Sequence, residues 1–210
     1  MAYSEIFKDY LEDLSSKSPV PGGGSSSGIV SAIGCGLASM AANFSIGKDK
    51  PADNQEELKE IIIRLRKIRE ESAALTDKDI EVYQNLRSAL EKEGKIFSQR
   101  GDKINNVQEE LEQAVMVPFR VCRLCRDALV LSGRLLEIGN SNLITDLGGA
   151  AVFLEAGFIS AEFNVRINLK DYKKLDKKSE IKQQLDIYRK DISLIKEKIL
   201  ALVSARLTDG

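Results

Sequence analysis

Thirty consecutive residues, Ser18 to Gly47, carry no charge, in a chain whose residues are 30% charged. Most of them are small, and the small ones recur every fourth position. Gly24, Gly28, Ala32 and Gly36 form one row; Ser27, Ser31, Cys35, Ser39 and Asn43 form another. The spacing predicts a helix from about Ser25 to Ile46 with two ridges of minimal side chains, against which other backbones can come close. An uncharged helix of this kind belongs inside protein. Its length would also fit a membrane span of roughly 20 residues. Ser25, Ser26, Ser27, Ser31, Ser39, Asn43 and Ser45 make it too polar for a solitary helix in lipid, so a buried helix and no membrane association are expected.

A buried helix needs partners, and the rest of the chain supplies them. Residues 4–14 read as a short helix with Ser4 as N-cap. Asp53 can cap a long helix to about Glu93, with the seam Leu58, Ile61, Leu65, Ile68, Ser72, Leu75, Asp79, Val82, Leu86, Ala89. A helix from about Lys103 to Ile138 has the seam Leu111, Val115, Pro118, Cys122, Cys125, Leu129, Ser132, Leu136, and Pro118 should kink it. After a loop at Gly139–Asn142 a further helix reaches about Leu169, nearly free of charge. The last, from about Lys177, carries Ile181, Leu185, Tyr188, Ile192, Ile195, Ile199 and Leu202 in heptad steps. The expectation is an all-α fold: one domain over residues 1–210, a bundle of five or six long helices.

Composition removes whole classes of function. The 210 residues include 31 Lys and Arg against 32 Asp and Glu, a net charge of −1, which gives no basic footprint for nucleic acid. The 3 cysteines are no disulfide framework and point to a reducing, cytoplasmic location; Met1 to Asp13 has no signal-peptide core. With 0 histidines, imidazole catalysis and histidine–metal sites are excluded, and proton transfer falls to Asp, Glu, Lys, Tyr, Cys or water.

Several residues do not fit a plain bundle. Gly22, Gly23 and Gly24 open a helix with unblocked N–H groups, either a flexible turn or the makings of an anion site. Neither nucleotide fingerprint fits: position 42 is Ala where a P-loop ending in Gly47-Lys48 needs Gly, and Gly34-Cys35-Gly36 lies mid-helix. Asp79 interrupts an apolar seam, so it pairs with a cation or faces a ligand cavity; Asp77 falls off the seam. Asp146, Gly149, Phe153, Gly157, Ser160, Asn164 and Asn168 make one stripe that suits a pocket lining, although an acidic residue in a first turn also serves the helix dipole. Cys122 and Cys125 read as a structural pair in the core, and the lysines at 173, 174, 177 and 178 as a solvated helix start.

Taken in order, these blocks resemble the formiminotetrahydrofolate cyclodeaminases and the related methenyltetrahydrofolate cyclohydrolases. The likeness rests on Pro19-x-Pro21-Gly22-Gly23-Gly24-Ser25, Met40-x-x-Asn43-Phe44-Ser45-Ile46-Gly47-Lys48 and Asp77-x-Asp79 with Tyr83. It continues in Pro118, Gly139-Asn140-x-Asn142 with Thr145-Asp146, and Asn164-Val165-x-Ile167-Asn168-Leu169. Departures include Ser26-Ser27, where a more apolar pair is usual, Ser141 for a frequent Pro, Thr145 for a common Ser, and Asp49 after Lys48.

The resemblance implies a homodimer or higher homo-oligomer with its pocket near the dimer interface. It also implies a tetrahydrofolate derivative as substrate, and no metal or cofactor beyond that folate. The implied reaction is attack of N10 of 5-formiminotetrahydrofolate on the formimino carbon, giving 5,10-methenyltetrahydrofolate and ammonia. Asp146 is then the expected base or pterin anchor, Asp79 shares that work, and Lys48 steadies charge or leaving group. Pro21, Gly22, Gly23, Gly24, Ser25, Asn43, Asn142, Asn164 and Asn168 are the expected substrate-binding residues. The sister reaction, hydrolysis of the methenyl compound to 10-formyltetrahydrofolate, fits the same motifs. With no formiminotransferase portion in the chain, substrate would arrive by diffusion or from a separate formiminotransferase. From another class, a non-catalytic helical dimerisation or adaptor module would bind no folate and would lose only stability on replacement of Gly23, Asp79 or Asp146.

Overall fold

A computed structural model describes residues 2–47, 51–96 and 104–208, and within them every regular element is helical. The elements are α1 (Tyr3–Ile6), α2 (Lys8–Leu14), α3 (Gly23–Asn43), α4 (Ala52–Ile96), α5 (Ile104–Ile138), a 3-10 turn at Ser141–Leu143, α6 (Ile144–Asn168) and α7 (Leu175–Thr208). The expected five-helix core is α3 to α7. The expected first helix is divided by a turn at Phe7. Asp53 lies inside the first turn of α4 and is no N-cap; there an acidic side chain still favours the helix dipole.

α3 runs through the middle of the bundle, between α4 and α6; α5 closes the back, and α7 covers α5 and α6. The small ridges make this possible. A Cβ on Gly28 would come within 2.7 Å of both the Ser72 carbonyl oxygen and Thr76 Oγ1 of α4, and one on Gly34 within 2.8 Å of Leu154 of α6. A Cβ on Gly157 would stand 3.3 Å from Ser27 O and Ser31 N of α3. Where the ridges meet α4, Ser31 Oγ pairs with Ser72 Oγ at 3.0 Å, while Thr76 Oγ1, against Gly28, is buried without a hydrogen-bond partner among the described residues. Around this axis Leu58, Leu65, Val115, Leu129, Leu154, Phe158, Leu185 and Ile192 are fully buried.

The α4 and α5 seams face inward as their spacing predicts. The α7 seam does so as far as Ile199, and Leu202 has turned outward to 45% exposure. A strict seven-residue repeat drifts off one side of a straight helix in this way. Cys35, Cys122 and Cys125 are buried free thiols, and burial pushes Cys125 up to about 12, which makes it inert packing. Lys174 and Lys177 are not simply solvated: both bond Glu112.

α6 differs most from expectation. Glu162 is fully buried and takes Arg166 and Arg189 as partners, and Glu155 takes Lys196. The opposite side of α6 is open: Val152, Phe153, Phe163 and Ile167 are 41–63% exposed. Phe44 and the unfilled space over Gly36 continue that uncharged surface onto α3. α3 and the Ser141–Asn168 segment are each long and apolar enough to cross a membrane, with mean hydropathies of 1.3 and 1.4. In this fold they pack against each other.

Candidate functional site

α3 begins where the glycines are. Gly22 takes the N-cap position in extended conformation, its N–H donating to Ser25 Oγ at 3.1 Å and its carbonyl accepting from the Ser26 N–H at 3.0 Å. Directly beside this turn stands Asp79. A Cβ on Gly24 would lie 2.2 and 2.4 Å from the two carboxylate oxygens, so any side chain there would displace the carboxylate. The Ser25 backbone N–H donates to the carboxylate. Part of the donor set expected to await an anionic ligand is therefore already occupied by the chain's own anion.

Burial pushes the Asp79 carboxyl up from 3.8 to about 6, with the Ser25 N–H pulling weakly the other way. Among the described residues no cation pairs with it. Of the two roles open to a carboxylate in this seam, cation partner or ligand face, the first has no support in the fold. α3 faces it with uncharged residues only, and α5 brings Ala114 and Val117 against Val82 one turn along. The nearest α5 cation, Arg120, is held by Glu71. From α6, Ser160 Oγ donates to the Gly23 carbonyl at 3.0 Å, and a Cβ on Gly23 would be 3.5 Å from Asn164 Nδ2. Asp79, Gly22–Ser25, Ser160 and Asn164 thus form one cluster on three helices.

Asn168, one turn beyond Asn164, has a different job. Pro118 has no N–H, so the Ala114 carbonyl four residues earlier loses its helical partner. Asn168 Nδ2 donates to that oxygen at 2.7 Å. Two residues of the expected constellation are thereby explained by each other. The Asn168 amide nitrogen is committed to the backbone of α5.

The remaining candidates lie at the other end. α6 runs antiparallel to α3: Asn164 and Ser160 meet Gly23, Leu154 meets Gly34, and Gly149 meets Leu37. From Asp146 to Asn164 the helix rises about 27 Å at ~1.5 Å per residue. Asp146, half-buried in the first turn of α6, therefore sits near the C-terminal end of α3, far from Asp79 of the same chain. The loop beside it is pinned by Ser45, whose hydroxyl donates to Ala41 O at 2.6 Å and accepts the Asn140 N–H at 2.7 Å. Asn140 Oδ1 accepts the Asn142 N–H at 3.0 Å, and Asn43 Nδ2 bonds Ser39 O within its own helix. Lys48 lies outside the described residues. A cavity of about 200 Å³ opens under this loop, between Leu135, Leu147, Leu202 and Arg206. Ser45 and Ser160 stand in blocks that the sequence marks out, but neither they nor Tyr10 are singled out there as site residues. Ser160 was on the α6 stripe, but nothing in its spacing singled it out.

The fold is an all-helical bundle in which the Asp79 carboxylate stands against the glycine-opened end of α3. The chain belongs to the formiminotransferase-cyclodeaminase family, whose model matches residues 6–187. It is similar to the methenyltetrahydrofolate cyclohydrolase of Methylorubrum extorquens, 32% identical over 170 residues that cover 81% of this chain and 82% of that one. It is also similar to the rat formimidoyltransferase-cyclodeaminase, 29% identical over 162 residues that cover 77% of this chain but only 30% of the rat protein. The crystal structure of the Thermotoga maritima formiminotetrahydrofolate cyclodeaminase superposes with a TM-score of 0.85 at 26% identity, covering 95% of this chain and 96% of that one. These relatives are folate-processing enzymes of one-carbon metabolism.

Proposed function

We propose that the chain cyclises 5-formiminotetrahydrofolate to 5,10-methenyltetrahydrofolate with release of ammonia. The observation that carries this reading is Asp79, half-buried against Gly24, held by one backbone N–H and pushed up to about 6. Starting from the protonated formiminium cation, N10 must lose its proton as it bonds the formimino carbon, and the resulting –NH2 must gain one before the C–N bond breaks and ammonia leaves. A carboxyl titrating near neutrality can take the first proton and return it to the departing amine. Nucleophile and electrophile belong to one molecule, so the other requirement is to hold the reactive conformer. In this reading Gly22–Ser25 and Asn164 do that.

A second reading, hydrolysis of 5,10-methenyltetrahydrofolate to 10-formyltetrahydrofolate, is favoured by the match to the Methylorubrum cyclohydrolase over most of both chains. The two readings share the methenyl compound and separate in one pair of absorbance assays. Enzyme-dependent appearance of the methenyl chromophore from 5-formiminotetrahydrofolate supports cyclodeamination. Accelerated loss of the chromophore from 5,10-methenyltetrahydrofolate alone would replace it with hydrolysis.

The proposal includes a homodimer. The open face of α3 and α6 is uncharged and apolar, and the buried contact of Gly34 with Leu154 beneath it lies midway between the Asp79 and Asp146 ends. A two-fold axis crossing that midpoint would set Asp146 and the Asn140–Asn142 loop of one copy against the Asp79 cluster of the other. Mixing refolded Asp79→Ala and Asp146→Ala chains tests it. Hybrid dimers would hold one intact site each, restoring about a quarter of wild-type activity from two inactive preparations; no recovery would refute the shared site.

A further inference from the structure

α2 buries none of its residues, yet it sends one side chain into the turn that opens α3. The Tyr10 hydroxyl lies 3.0 Å from Ser25 Oγ and 3.1 Å from Ser26 Oγ. Ser25 Oγ accepts the Gly22 N–H at 3.1 Å and donates to the Gly22 carbonyl at 2.9 Å, to which Ser26 Oγ also donates at 2.8 Å. Two serine hydroxyls therefore close on the backbone of one residue, Gly22, and the Tyr10 hydroxyl from α2 bridges the two. Whichever way their protons run, the chain of donors ends on the same carbonyl.

The residue so held is the one that matters next door. Ser25 supplies the N–H on Asp79, and Gly24 leaves the carboxylate its space. We propose that Tyr10 is a positioning residue for the substrate site: its hydroxyl fixes the Gly22–Ser26 turn, and with it the Ser25 N–H, against Asp79. The inference rests on the reading above in which this turn and Asp79 meet the folate. Ser26, which stands where the resembled family more often has an apolar residue, belongs to the device. With an apolar residue at 26, Tyr10 keeps one hydroxyl partner and the Gly22 carbonyl loses a donor.

A purely structural role would be to hold α2 down, and the two roles differ in what they move. The experiment compares wild type, Tyr10→Phe, Ser26→Ala and the double variant. Steady-state kinetics follow the methenyl chromophore across pH, and thermal unfolding is measured on the same samples. Tyr10→Phe is expected to lower kcat/KM by about three- to tenfold, the worth of a hydrogen bond to a turn that contacts substrate. It should also move the acid limb of kcat/KM to higher pH, because the Asp79 carboxylate loses part of its N–H donor. Ser26→Ala alone should do less, and the double variant no more than Tyr10→Phe, since both act through Gly22. Unchanged kcat/KM and acid limb in a Tyr10→Phe protein would overturn the proposal, as would additive effects or a loss explained by unfolding alone. If the wild type itself turns over neither folate, the functional reading falls and the inference falls with it. An active wild type with an indifferent Tyr10→Phe removes the inference alone.

Discussion

Replacing Asp79 with Asn should make the protein more stable at pH 8 while disabling it. Burial lifts the Asp79 carboxyl from 3.8 to about 6, so the folded chain prefers it protonated. Above pH 6 the ionised carboxylate works against folding by the whole of that gap, about 3 kcal/mol. Below 3.8 both folded and unfolded chains carry it protonated and the penalty vanishes; between the two values it grows with pH. Asn has nearly the same shape and keeps an acceptor for the Ser25 N–H, but never ionises. Asp79→Asn should therefore gain up to about 3 kcal/mol at pH 8, or about 6–12 °C in Tm for a chain of this size, and almost nothing near pH 4. Urea unfolding of both proteins at pH 4.5, 6 and 8 measures the difference directly. A variant no more stable than wild type at pH 8, or one with the same offset at every pH, would refute the burial argument.

Gly28→Ala should lower stability by about 1–3 kcal/mol in urea titration, because the new methyl meets a backbone carbonyl at 2.7 Å that cannot step aside. Asn168→Leu should cost about 1–3 kcal/mol by stranding the Ala114 carbonyl, and adding Pro118→Ala should recover part of it by returning the helical N–H. Glu162→Gln should cost about 1–3 kcal/mol in the same assay with unchanged KM, since its partners Arg166 and Arg189 bind it on the α7 side. Asp146→Ala should lower kcat by about 100-fold or more with a urea midpoint close to wild type; undiminished turnover would end its assignment as the base or anchor.

Helix number, their order and most of their inner faces were legible in the sequence because period and burial are locally coupled. Asp79 stood out for the same reason, as the one carboxylate in an apolar seam. What it faces was not legible, because that depends on Gly24, 55 positions away and on another helix. Asn168 read as a pocket amide; its carbonyl partner exists only because Pro118, 50 residues earlier, silences a donor. The grouping of Asp79 with Asp146 could not be judged at all from motif order. The antiparallel run of α3 and α6 puts them at opposite ends of one chain. Periodicity puts Tyr10 on one face of its helix with Ile6 and Leu14, but a hydroxyl that reaches past its own helix leaves no pattern behind.

The uncharged centre of the bundle has a consequence in time. α3 is made early, and α6, which covers one whole side of it, begins about a hundred residues after α3 ends. At ribosomal speeds of about 5–20 residues per second, the small ridges stay without their second wall for on the order of ten seconds. During that interval the growing chain displays a helix apolar and long enough to pass for a membrane segment. Its serines, too polar for lipid, keep it from settling there before α6 is made.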